Sequence, residues 1–138
     1  MAGKIIYCWK IRFYKLDIFL ASSQKGAVRI GIRWADEHMD PAKYFKRYFP
    51  DEQLLIDEYF NTYLMAGIKR LLSGKEEVKI DLDCHLTPFQ WKVLTTIKQI
   101  PYGSVMTYKD IAWKIGSPKA FRAVGQALKR NPLPILFP

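Results

Sequence analysis

Apolar and polar residues alternate twice near the start of the chain. Tyr7, Trp9, Ile11 and Phe13 alternate with Cys8, Lys10 and Arg12, and after Gln24-Lys25-Gly26 the pattern returns as Val28, Ile30, Ile32 and Trp34 against Ala27, Arg29, Gly31 and Arg33. A period of two over eight residues predicts half-buried strands. Residues 16–21 form a further strand between them, turning onto the last through residues 22–26, where glycine tolerates positive φ. A three-stranded antiparallel meander is expected.

The period then lengthens. Asp40 caps a short helix with Pro41 at its first position, ending before Pro50. A second helix is expected from about Asp51, with Leu55, Tyr59, Tyr63, Gly67 and Leu71 on one stripe, until Ser73-Gly74 stops it. With helices on one face of the sheet, this is a small α/β unit. Residues 75–85 are polar, β-prone around Val78 and Ile80, and serve as the linker.

From Thr87 the signals are helical. Thr87, Pro88 and Gln90 make a capping-box arrangement ahead of Phe89, Val93, Leu94 and Ile97, and Pro101-Tyr102-Gly103 ends the helix. Thr107 with Asp110 opens a second helix, carrying Ile111 and Ile115 and stopping at Gly116. Ser117-Pro118 starts a third, with Ala120, Val124, Ala127 and Leu128 inward, which Asn131-Pro132 terminates. Two helices across a tight Gly-Ser turn make a helix-turn-helix, a device that binds DNA or serves as plain core scaffolding. The expected domains are an α/β unit over 1–85 and a helical unit over 86–138.

Charge separates the same two parts. Residues 1–85 hold 14 Lys and Arg against 12 Asp and Glu, net +2, whereas residues 86–138 hold 8 against 1, net +7. A basic segment with Asp110 as its one acid is either a polyanion-binding surface or a solvated basic face. Lys119, Arg122, Lys129 and Arg130 crowd the second helix of the pair, the element that enters a DNA groove and offers its first amides to phosphate. The 49% hydrophobic content excludes global disorder, and no apolar run approaches a bilayer span of about 20 residues. A soluble, intracellular protein without a membrane partner is expected. Cys8 and Cys84 are too few for a disulfide scaffold and too far apart for a short metal-ligand pair, so both are expected reduced and no metal site is assigned. His38, beside Glu37 and near Asp40, is a solvated turn residue.

Several of these residues carry a resemblance. Thr87-Pro88-Phe89-Gln90, Ile100-Pro101-Tyr102-Gly103, Thr107-Tyr108 and the run GSPKAFRAVGQALKRNPLPILFP over 116–138 resemble the O6-alkylguanine-DNA alkyltransferases, or methylated-DNA–protein-cysteine methyltransferases. The match is dense over about residues 86–138, and over 1–85 only the element order is similar. The resemblance implies an RNase H-like α/β unit followed by a winged-helix-like helix-turn-helix unit. It implies that Arg122 is the finger that fills the base stack when the damaged guanine rotates out, and that Tyr108 crowds the target phosphate and helps turn the nucleotide. Asn131 matches the hinge asparagine between the recognition helix and an active-site strand. Ala120, Ala123 and Gly125 match the small residues that let the helix lie in the minor groove, and Thr107 and Lys119 join them as DNA-binding positions. The partner implied is double-stranded DNA containing O6-alkylguanine. No diffusible cofactor is implied, and the expected protein is a monomer, cytoplasmic and nucleoid-associated, or nuclear in a eukaryote.

The same register sets the chemistry. After this proline the family carries Cys-His-Arg, whose thiolate takes the alkyl group, so the acceptor falls just past Pro138 and no catalytic residue is assigned within 1–138. Cys84-His85 copies two letters of that motif but precedes the first helix of the basic segment, and Cys8 belongs to an N-terminal strand, so neither is expected to replace it. Residues 133–138 read as an apolar strand whose end leaves exposed apolar surface, from a cut frame or for a partner to cover. Phe121 departs from the small or modest aliphatic residue usual in the family, and either wedges toward the base stack or turns toward the domain interface. Three readings follow: a family member that binds alkylated DNA in the minor groove and flips the base; a noncatalytic, alkyltransferase-like lesion binder; or a partly folded fragment.

Overall fold

A computed structural model describes residues 4–74, 79–101 and 103–137. Val78, Tyr102 and Pro138, each part of an expectation above, lie outside the described residues. The chain divides into two compact units, Met1–Cys84 and His85–Pro138.

The first unit is built on strands β1 (Ile5–Phe13), β2 (Leu16–Ser23) and β3 (Gly26–Trp34), paired antiparallel as expected, with Trp9 opposite Leu20 and Leu20 opposite Ile30. Asp40 caps α1 (Pro41–Phe45) by accepting from the Lys43 amide at 2.7 Å. The meander is not the whole sheet. A fourth strand, β4 (Gln53–Ile56), pairs parallel to β1, giving the order β3-β2-β1-β4. The helix expected from Asp51 therefore begins later: a 3-10 turn at Tyr59–Asn61 leads into α2 (Thr62–Leu72). Its buried residues are Leu64, Gly67 and Ile68: Gly67 is buried as expected, while Tyr59 and Tyr63 are 75% and 86% exposed and Leu64 is buried in place of Tyr63.

Helices cover both faces of this sheet rather than one. Ile6, Cys8, Phe19, Ala21 and Val28 pack with Tyr44 and Phe45 of α1, the Phe19 and Tyr44 rings stacking at 4.1 Å. On the other face Phe60 stacks on Tyr7 at 4.1 Å, and the Asn61 amide donates to the Tyr7 carbonyl at 3.0 Å. Because β2 is sandwiched, all its residues after Leu16 are buried, Asp17 included. Burial alone would raise the Asp17 pKa. Hydrogen bonds from the Asp36 amide, Arg12 and Lys10 outweigh it and hold the carboxyl below the usual range. Cys8, on the polar side of the expected alternation, is a core residue for the same reason. The far end of β3 leaves this cover, so Ile32 and Trp34 are exposed.

Residues 79–83 are not a free linker. The Ala27 amide donates to the Asp81 carbonyl at 2.8 Å, the Asp83 amide to the Ala27 carbonyl at 2.7 Å, and the Lys4 ammonium pairs with Asp83 at 2.9 Å.

The second unit holds α3 (Pro88–Lys98), α4 (Tyr108–Lys114) and α5 (Phe121–Lys129) around Val93, Leu94, Ile97, Ile111, Ala112, Val124 and Ala127. Both capping boxes form, Thr87 with Gln90 and Thr107 with Asp110. Gly116, at φ +82°, closes α4, with the Ser117 amide donating back to the Ala112 carbonyl at 2.9 Å. The third helix starts at Phe121 rather than Pro118, because residues 117–119 are spent on the turn, whose closing bond runs from the Ala120 amide to the Ser117 carbonyl.

Residues 133–138 were expected to be an exposed strand. Over 132–137 the chain instead folds into a turn that buries Leu133, Leu136 and Phe137, with the Phe137 ring edge-on to Trp91 at 5.9 Å.

Candidate nucleic-acid interface

The helix-turn-helix positions most of the residues singled out above. Thr107 starts α4: its hydroxyl accepts from the Asp110 amide at 3.1 Å, and its own amide donates to the Asp110 carboxylate at 3.0 Å. Hydrogen bonding to the carboxylate from the Thr107 amide, and then from its side chain, holds the Asp110 pKa below the usual range. The box presents Tyr108 at the first helical position, half exposed, with its ring against α5 at Gly125. A Cβ at Gly125 would lie 3.0 Å from the ring, so the absent side chain is what admits Tyr108 at this distance.

Phe121 and Gly125 are four residues apart and lie on the α5 face that receives the start of α4. Phe121 is half-buried within its own unit, beneath the Lys109 ammonium at 5.4 Å from the ring centroid. On the adjoining face Arg122, Gln126 and Lys129 recur at helical spacing, all exposed. Tyr108, from α4, and Arg122, Ala123, Gly125, Gln126, Leu128 and Lys129, from α5, line one open groove of about 760 Å³. Among the described residues Arg122 has no hydrogen-bond or ion-pair partner, so its guanidinium is available to a ligand.

Of the expected site residues, the groove brings together Tyr108, Arg122, Ala123 and Gly125. Thr107 stands behind it as the cap of α4. Lys119 is an exposed turn residue and Ala120 the N-cap of α5, not members of the helix as expected. Alanine has no side-chain acceptor, so no side chain caps the first amides of α5, and they remain available to an anion. Asn131 lies behind the turn: its amide donates to the Phe137 carbonyl at 2.7 Å and its oxygen accepts from the Leu133 amide at 2.9 Å. It thus clamps a seven-residue turn in which Ile135 adopts φ +79°, a strained value for a β-branched residue. Leu128, expected inward, is half-buried and lines the groove, and the sequence reading missed Gln126 as a groove residue. Its spacing of four from Arg122 was the available signal.

Neither cysteine is an activated thiol. Burial, with the Asp40 charge behind it, pushes Cys8 up to about 12, and burial followed by the Asp83 charge raises Cys84 as well. No group of three His, Cys, Asp or Glu side chains suited to a metal occurs among the described residues.

The architecture is that of a two-unit protein, an α/β sheet unit and a helix-turn-helix unit with an open, basic second helix. Residues 88–138 match the family profile described as 6-O-methylguanine DNA methyltransferase, DNA binding domain. The constitutive methylated-DNA–protein-cysteine methyltransferase of Bacillus subtilis is 62% identical over 52 residues, covering 38% of this chain and 32% of that protein. The Methanosarcina barkeri methylated-DNA–protein-cysteine methyltransferase is 34% identical over 125 residues, covering 88% of this chain and 72% of the relative. The crystal structure of Mycobacterium tuberculosis OGT in complex with DNA superposes with a TM-score of 0.70 at 25% identity, over 96% of this chain and 74% of that one. The chain belongs to the methylated-DNA–protein-cysteine methyltransferase family, and it spans only about a third of the Bacillus subtilis relative's length.

Proposed function

We propose that this protein works in direct reversal of DNA alkylation: the second unit binds duplex DNA containing O6-alkylguanine through the minor groove, extrudes the damaged base, and presents it to a cysteine acceptor. The observation that carries this reading is the exposed Arg122, without a partner among the described residues, lining the α4–α5 groove together with Tyr108 and Gly125. A nucleophile cannot reach O6 of a stacked guanine, so the base must leave the duplex at a cost of a few kcal/mol, and a long cationic side chain that occupies the gap offsets that cost. Arg122 is that side chain. Tyr108, its ring seated on Gly125, crowds the target phosphate. Ala123 and Gly125 keep the α5 surface low enough for a narrow groove, Ala120 extends it, and Lys119 contacts phosphate at the helix start.

On this reading the acceptor thiol is that of the family's Pro-Cys-His-Arg motif. Cys8 and Cys84 are both poor thiolates and do not substitute for it. The chemistry uses no diffusible cofactor. The protein acts as a monomer on DNA, in the cytoplasm with the nucleoid or in a eukaryotic nucleus. No helix among the described residues is long and apolar enough to cross a membrane, and we assign no membrane partner. The sheet order, with β4 parallel to β1, supports an RNase H-like first unit, and the three helices support a winged-helix-like second one. The noncatalytic reading is not favoured, because the relatives that this chain resembles over most of its length are named as methyltransferases.

The test is titration of one duplex carrying O6-methylguanine and of its guanine counterpart. Arg122→Ala should narrow the preference for the lesion more than it weakens binding overall. Equal loss on both duplexes would reduce Arg122 to a phosphate contact. With a labelled methyl group on the lesion, label recovered on Cys8 or Cys84 would overturn the assignment of the acceptor.

A further inference from the structure

Resting on the DNA-binding reading above, we propose that Phe121 is a platform that holds the Lys109 ammonium over the start of α5, where Lys109 binds a DNA phosphate beside the point at which Arg122 enters the duplex. The geometry comes from two crossings between the helices. Tyr108 and Lys109, the first two residues of α4, meet α5 at Gly125 and Phe121, and the Lys109 nitrogen lies 5.4 Å from the centre of the Phe121 ring. Phe121 directly precedes Arg122, so the ammonium and the guanidinium are presented by the same turn of the molecule.

Among the described residues this ammonium has no ion-pair partner. Asp110 is the one acid of residues 86–138, and its carboxylate is engaged by the Thr107 amide. The face of an aromatic ring attracts a cation without consuming any of its three N–H donors, so Lys109 is oriented and still able to bind an anion. A lysine stem already held in place loses less rotamer freedom on meeting a phosphate than a free one. A small or aliphatic residue at position 121 provides no such surface, which gives the phenylalanine a role that neither wedging nor domain contact requires.

The experiment is a double-substitution cycle on the full chain, read as dissociation constants for a defined O6-methylguanine duplex over a KCl series. Lys109→Met should weaken binding about three- to tenfold at low salt and make the log–log salt slope shallower by about 0.9, the value of one phosphate contact. Phe121→Leu should weaken binding about two- to threefold in the native background and have no further effect alongside Lys109→Met. Phe121→Tyr, which keeps the ring face, should bind as the native chain does. An unchanged slope for Lys109→Met, or equal losses for Phe121→Leu in both backgrounds, would overturn the proposal while leaving DNA binding intact. Absence of salt-sensitive binding by the unsubstituted chain would end both.

Discussion

A single missing methyl group governs how α4 meets α5. Gly125→Ala adds a Cβ 3.0 Å from the Tyr108 ring, and alanine gains about 0.5–1 kcal/mol over glycine in a helix interior. Tyr108 is half exposed and can swing outward, so the thermal midpoint should stay within a few degrees while lesion binding falls several-fold. Melting curves paired with duplex titration check this, and a large drop in the midpoint would mean that the ring cannot yield. Asn131 acts on the backbone. Asn131→Ala strands the Leu133 amide and the Phe137 carbonyl, at a cost of about 1–3 kcal/mol read by denaturant unfolding. The types of both residues were legible as small and as hinge-like, but which atoms they touch was not, since those partners are set by how helices and turn fold back.

Among the elements, the ones with self-contained signals are the ones the sequence announces. Thr107 with Asp110 and Thr87 with Gln90 specify their helix starts within four residues, and Thr107→Ala should cost about 1 kcal/mol in unfolding free energy. β4 shows the reverse. Gln53-Leu54-Leu55-Ile56 sits where a helical period also fits, and only the open edge of β1 makes it a strand. Burial of β2 on both faces has a measurable consequence through Asp17. Its carboxyl is held below the unfolded value of about 3.9, so its stabilisation is complete above that pH and is lost as pH falls through the folded value. Asp17→Asn should cost about 3 kcal/mol at pH 7, and the gap between the two proteins should narrow as pH falls below about 3.9. A gap independent of pH would show that shape rather than charge matters there.

For the molecule as a whole, charge is distributed by unit: net +2 over residues 1–85 and +7 over 86–138. Duplex affinity should therefore fall steeply with salt, and substituting Lys15 or Arg33 in the first unit should leave the slope unchanged, whereas substituting Lys129 should lower it by about 0.9. A salt-slope series over the three variants checks both statements. Sequence alone determined the helix caps, the helix-turn-helix, the basic segment and the family motif, because each is written in residues close together along the chain. Tertiary structure decided the parallel fourth strand, the second covered face of the sheet, the late start of α5 and the burial of Leu133, Leu136 and Phe137. It also seated Tyr108 on Gly125 and Lys109 over Phe121. These depend on surfaces distant in sequence meeting in space, and a hydrophobic period records that a residue is buried without recording against what.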